Sequence, residues 1–146
     1  MGNCICLDCC LNYKSNDLPL YSIKGIYRAK VVDVYDGDTV TIVIFNKFGF
    51  EKHKLRLYGI DTPEMKPSKN LPNREQHIEK AHIAKDKLSE RILNKIIEVD
   101  IKGNEKYGRL LGVIYLRSCL KKEDINQYML DNNYGYAYNG GTKNII

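Results

Sequence analysis

"GIYRAKVVDVYDGDTVTIVIF", residues 25–45, sets two β-branched runs around a single turn. In its second half Val40, Ile42 and Ile44 alternate with Thr39, Thr41 and Val43, the period-two pattern of a strand with one buried face. The first half is equally dense in β-branched and aromatic residues. Between them stands "YDGD", whose Asp-Gly is a strong tight-turn signal, so the two halves form an antiparallel hairpin. "NKFGF" then interrupts the pattern and leads into a third strand, "EKHKLRLYGI", residues 51–60.

Over residues 74–96 the period changes. Ile78, Ala81, Leu88, Ile92 and Ile96 recur at spacings of a helix face, with Asn73 and Gln76 as an expected capping pair and Pro72 just outside. "IIEVDI" and "RLLGVIYLR" read as two further strands joined through "KGNEKYG". "EDINQYMLDNN" reads as a short second helix presenting Ile125, Tyr128 and Met129, and its Asn-Asn end suits a left-handed stop. The closing "YGYAYNGGTKNII" is too rich in Gly and Asn to be expected regular. Strands and helices in this order point to an α+β, mainly β domain. It is expected to be a five-stranded antiparallel barrel with one long and one short helix, since closure removes exposed strand edges.

A chain of 146 residues suits one such domain around a single core, and 43% hydrophobic with 28% charged residues is the balance of a soluble globular protein. "KSNDLPLYS" argues against regular structure, so residues 1–21 are expected to be a leader and residues 22–146 the domain. The net charge is +5, and the leader holds Lys14 against Asp8 and Asp17, so the positive excess belongs to the domain. That favours an anionic partner, either nucleic acid or a membrane surface.

Four of the five cysteines, Cys4, Cys6, Cys9 and Cys10, fall in the first ten residues, which is no disulfide framework and points to a reducing compartment. Cys119 is expected to be a small buried hydrophobe. No stretch approaches the roughly 18–20 apolar residues of a membrane span, and the start lacks the basic and apolar regions of a signal peptide. "MGNCICLDCC" instead offers Gly2 for N-myristoylation once Met1 is removed, although Cys6 stands where Ser or Thr is usual. One myristoyl chain binds membrane only marginally, with K on the order of 10⁴ M⁻¹. Palmitoylation at Cys4, Cys6, Cys9 or Cys10 would supply the second signal and hold the protein at the cytoplasmic face of a membrane. Otherwise a cytoplasmic location is expected. A zinc knot is the poorer reading, because adjacent Cys9 and Cys10 suit one tetrahedral ion badly; an unmodified leader is the third.

The residues able to do chemistry lie where strands meet loops: Asp36 and Asp38 around Gly37, Asp61, Thr62 and Glu64 after the third strand, and Lys106, Tyr107 and Arg109 before the fifth. If they converge, the donors are hard oxygens, which suit calcium or magnesium over zinc or copper. Arg56 and Arg109 would add forked donors that match phosphate oxygens. Together these describe phosphodiester cleavage. Asp38 and Asp61 would hold the metal, Glu64 would take a proton from water or orient it, and the arginines would meet the charge growing at phosphorus. The plainer alternative for Arg56 and Asp61 is a structural ion pair, and for Asp36 a turn former. Asp100 reads as an exposed strand residue, and His53, His77 and His82 as surface residues without metal spacing.

In "DGDTV" (36–40), "RLYGIDTPE" (56–64), "KYGR" (106–109) and, more loosely, "INQYML" with "YGYAY", the sequence resembles the staphylococcal nuclease family over about residues 22–140. The resemblance implies an OB-fold-like five-stranded barrel and a calcium-dependent endonuclease acting on DNA and RNA to leave 3′-phosphate ends. It implies Asp38, Asp61 and the Thr62 carbonyl as calcium ligands, and Arg56, Glu64 and Arg109 as the catalytic set. Lys106, Tyr107, Tyr136 and Tyr138 would line the substrate site of a monomer. The family's long C-terminal helix has no expected counterpart here. "MKPSKNLPN" departs from its lysine-rich loop, leaving Lys66 and Lys69 as candidate phosphate contacts. The rival reading is a catalytically silent barrel that binds nucleic acid or a protein. Degenerate copies tend to lose the catalytic set, and its presence here favours the enzyme.

Overall fold

A computed structural model describes residues 23–47, 49–105 and 107–138. The leader positions Gly2, Cys4, Cys6, Cys9 and Cys10 and the candidate Lys106 lie outside the described residues.

The opening hairpin is β1 (Gly25–Val34) and β2 (Thr39–Asn46), antiparallel and paired from Ala29 with Ile44 to Val34 with Val40. A second tight turn leads to β3 (Gly49–Leu57), whose register with β2 runs from Asn46 opposite Gly49 to Thr39 opposite Arg56. After a break the two-residue β4 (Ile60–Asp61) ends this segment. Helix α1 (Arg74–Ile92) follows, then β5 (Ile96–Asn104), β6 (Leu110–Arg117), β7 (Lys122–Asp124), helix α2 (Ile125–Asp131) and β8 (Tyr136–Ala137). The main sheet runs β3-β2-β1-β5-β6-β7, and β3 also pairs with β6, closing a five-stranded barrel.

The closing pair is parallel, so the barrel is mixed and not antiparallel throughout. Geometry forces this. Strands β3, β2, β1, β5 and β6 alternate in direction around the ring, and an odd number of alternating strands meets itself in the same direction. The inward residues fill the core, among them the fully buried Ile42, Leu55, Val99 and Ile114.

Helix α1 packs Ala84, Leu88 and Ile92 into that core. It ends four residues sooner than its apolar spacing suggests, because Asn94 turns left-handed (φ 62°) and its N–H donates to Val31 O at 3.0 Å. Ile96 therefore begins β5 and is exposed. The expected cap at the other end is also absent: Asn73 is left-handed (φ 55°) and its side chain makes no capping bond, since a capping side chain needs an extended backbone to reach the next turn. In α2 the cap is Asp124, which accepts from the Gln127 N–H, and Asn133 (φ 58°) supplies the left-handed stop. Cys119 is exposed, contrary to expectation, because it sits in the turn between β6 and β7 where Ser118 N–H bonds Lys121 O. No helix among the described residues is long and apolar enough to cross a membrane.

One buried polar side chain ties the second helix to the barrel. Asn126 accepts from the Ile114 N–H at 3.1 Å and donates to Tyr58 O at 2.8 Å and Gly112 O at 3.3 Å. Loss of that side chain strands the Ile114 N–H and the Tyr58 carbonyl, while Gly112 O keeps the Tyr58 N–H at 2.8 Å; each stranded group costs about 1–3 kcal/mol. Asn126→Ala is expected to lower stability by about 2–4 kcal/mol in urea unfolding; an unchanged midpoint would show the three bonds to be dispensable.

Candidate active site

Three loops meet at one end of the barrel. The β1–β2 turn brings Asp38, the end of β3 brings Arg56, and β4 with the residues after it brings Asp61, Thr62 and Glu64. The parallel pairing sets Leu55, Arg56 and Leu57 beside Leu110, Leu111 and Gly112, so Arg109 arrives at the same place. The resulting cleft, about 280 Å³, is lined by Asp36, Asp38, Arg56, Asp61, Glu64 and Arg109 among others.

Close packing at two glycines makes the convergence possible. A Cβ on Gly37 would stand 2.9 Å from both Ala84 Cβ and Thr62 Oγ1, so only glycine lets the Asp38 turn seat between α1 and the Thr62 segment. A Cβ on Gly135 would stand 2.9 Å from Asp61 O, which is how β8 comes close enough to pair with β4.

A continuous polar chain crosses the cleft. Arg56 Nη2 lies 2.7 Å from Asp61 Oδ1 and 3.2 Å from Asp38 Oδ2, with the three side chains only 13%, 2% and 6% exposed. The other Asp38 oxygen accepts from Thr39 Oγ1 at 2.8 Å, and Thr39 Oγ1 accepts from Arg109 Nη1 at 3.2 Å. The other Asp61 oxygen accepts from the Tyr136 hydroxyl at 3.0 Å. Glu105 takes Arg109 Nε at 2.6 Å and so aims its guanidinium.

The electrostatics follow from burial. The Asp38 carboxyl is pushed up to about 7, first by burial, then by the neighbouring Asp36 and Asp61, with Arg56 and Thr39 opposing. For Arg56, burial works against the charge, but Asp38 and Asp61 outweigh it and hold the guanidinium above its ordinary value. Burial and then the bond to Asp61 push the Tyr136 hydroxyl up as well.

Among the described residues no three His, Cys, Asp or Glu side chains form a metal-binding cluster. Asp38 and Asp61 nevertheless bring two carboxylates to one guanidinium, and the donors available are all oxygen. That chemistry fits a hard divalent cation, whose remaining positions would fall to carbonyl and water oxygens.

The ion pair between Arg56 and Asp61, read from sequence as the plainer alternative, is therefore present, and it lies in the cleft wall with Asp38 as a second partner. Of the expected substrate residues, Tyr138 places its ring centroid 5.9 Å from the Arg56 guanidinium in an adjoining cavity. Tyr136 meets Asp61, whereas Tyr107 is 85% exposed and is not part of the cleft wall. Lys66 lines the cleft and Lys69 does not. Thr39 and Glu105 escaped the sequence reading. Glu105, four residues before Arg109 in a turn-forming loop, carried a spacing signal only in hindsight of the fold.

The chain matches the sequence profile of the staphylococcal nuclease homologue family over residues 54–144. The chain belongs to that family. The matched region includes Arg56, Asp61, Glu64 and Arg109, while the turn carrying Asp38 precedes it. It is similar to an uncharacterized protein of Methanocaldococcus jannaschii, 30% identical over 76% of this chain and 58% of that protein. It is also 29% identical to an uncharacterized endonuclease of Haemophilus influenzae, over 75% of this chain and 51% of that protein. The protein ParB of Escherichia coli is 27% identical over 76% of this chain and 57% of its own length. The chain thus spans little more than half the length of these relatives. The fold and the family together make this a nuclease-like domain.

The Asp38 carboxyl gives a pH signature. A raised pKa means the folded state prefers the protonated acid, so metal-free stability is fully present below the ordinary carboxylate range and is lost as pH rises through about 7. In chelator, unfolding midpoints are expected to fall between pH 5 and pH 8, and Asp38→Asn is expected to flatten that fall; an equal slope in the variant would place the titration elsewhere.

Proposed function

We propose that this chain is a calcium-dependent endonuclease that hydrolyses phosphodiester bonds of DNA and RNA and leaves 3′-phosphate ends. The observation that carries the reading is the meeting of Asp38 and Asp61 on Arg56 in a cleft that Glu64 and Arg109 also line. Membership of the family supports it, as does the name of the Haemophilus relative.

Asp38, Asp61 and the Thr62 carbonyl would hold the cation. Bound calcium would polarise a phosphoryl oxygen. Arg56 and Arg109 offer forked donors to the phosphate, and their charge is prearranged for the extra negative charge of the pentacoordinate state. Glu64 accepts the proton of the attacking water as the water oxygen bonds to phosphorus; the bond from phosphorus to the 5′ oxygen breaks, and the departing oxygen takes a proton from solvent water to leave as a 5′-hydroxyl. The Tyr136 hydroxyl orients the Asp61 carboxylate, and Glu105 orients Arg109. Tyr107, Tyr138 and Lys106 would contact more distant parts of a bound strand. The protein acts as a monomer. It is held at the cytoplasmic face of a membrane through myristate on Gly2 and palmitate on one or more of Cys4, Cys6, Cys9 and Cys10.

The test is incubation of the full chain with single-stranded DNA, duplex DNA and RNA, in calcium, in magnesium and with chelator. Cleavage in calcium that chelator abolishes is expected, with Glu64→Gln and Arg109→Ala each slower by roughly 10²- to 10³-fold. Binding without cleavage in any metal would contradict the enzyme and leave the silent binding module.

A further inference from the structure

The end of the barrel away from the cleft has its own surface. Strand β2 starts at the cleft with Thr39 and reaches the β2–β3 turn at Asn46, a run of about 24 Å at roughly 3.4 Å per residue. At that far end Phe45 and Phe50 face each other across the strands, their ring centroids 5.0 Å apart, and they are 67% and 80% exposed. Ile26, at the start of β1, is 65% exposed. These three are outward positions, because the alternate residues Ala29 and Ile44 point into the core.

The same outward face carries Arg28, Lys30 and Lys52, all exposed. None of the ion pairs among the described residues involves them. The acids on the neighbouring strand β5 are engaged elsewhere: Asp100 pairs with Lys102, and Glu98 with Arg117 and Lys122. An apolar tip with three cations along the strands beside it, and with Asp100 opposite Ile26 already paired to Lys102, is complementary to a bilayer surface of anionic lipid, where rings and aliphatic side chains enter the interface and basic groups meet the headgroups.

Two further features favour lipid over a nucleic-acid strand as the occupant. The phenylalanine rings are tilted by 52° against each other, so they do not offer the parallel platform that stacked bases require, and Ile26 has no ring at all. The chain also enters β1 at this end, since Gly25 precedes the Ala29–Ile44 pairing on the side of the β2–β3 turn.

We infer that the outer face of β1, β2 and β3 at the far end of the barrel is a docking surface for an anionic membrane. Its aromatic tip lies about 24 Å along β2 from the end that carries the cleft. The lipid anchor proposed for the leader would act at the same end, but the surface is a property of the folded domain and does not require acylation.

The test uses full chain made without acyl transferases, sedimented with vesicles of phosphatidylcholine alone or with about one third phosphatidylserine. Binding is expected only to the anionic vesicles and to weaken with salt. Lys30→Glu with Lys52→Glu is expected to reduce it roughly 10- to 100-fold, from the weight of each basic group near such a surface. Phe45→Ser with Phe50→Ser is expected to reduce it at least about tenfold, from the lost apolar contact. Nucleic-acid cleavage by both variants should match the parent, which separates failure of this surface from failure of the enzyme reading. No binding to anionic vesicles, or binding that both double variants leave intact, would overturn the inference. So would variants that lose nucleic-acid affinity while keeping vesicle affinity.

Discussion

The parallel pairing of β3 with β6 closes the barrel and gathers the cleft at one end. Five strands that alternate in direction can close only through one parallel pair, and here that pair joins the last residues of β3 to the first of β6. Arg56 and Arg109 are 53 residues apart in the chain, yet the closure brings both to one cleft. The same end receives Asp38 from the first hairpin and Asp61 from β4, so the fold concentrates charge where its strands converge.

That concentration is costly, and the cost is visible in the chemistry. Burial together with Asp36 raises the Asp38 carboxyl to about 7 despite Arg56 at 3.2 Å. A buried guanidinium shared by two carboxylates is a poor route to stability, because desolvation offsets much of the attraction. On the proposed function, the same arrangement is a prearranged site that exchanges its internal partners for a cation and a phosphate.

The elements were legible in the sequence to the extent that their signals were local. Alternation from Thr39 to Ile44 fixed β2, the Asp-Gly turn fixed the hairpin, and Asn133 marked the end of α2. Signals that depend on distant partners were not legible. Ile96 fits a helix face by spacing but leaves it because Asn94 bonds to Val31 of β1. The pairing of β8 rests on Gly135 lying against Asp61 O, which Gly-rich composition alone disguises as a loop. Cys119 looked apolar and proved exposed, since its turn is set by Ser118 and Lys121. The site showed the same division. Asp38, Arg56, Asp61, Glu64 and Arg109 stand in recognisable motifs, whereas Thr39 and Glu105 matter only through contacts that closure creates.

We propose that Asp38 and Asp61 exchange their pairing with Arg56 for a cation. Calorimetric titration of calcium into the full chain tests it most directly, at pH 6 and pH 8, beside Asp61→Asn. One bound ion per chain is expected, tighter at pH 8 because the Asp38 carboxyl must give up its proton, with no saturable binding in the variant. Binding of equal strength in parent and variant, or none in the parent at either pH, would contradict it.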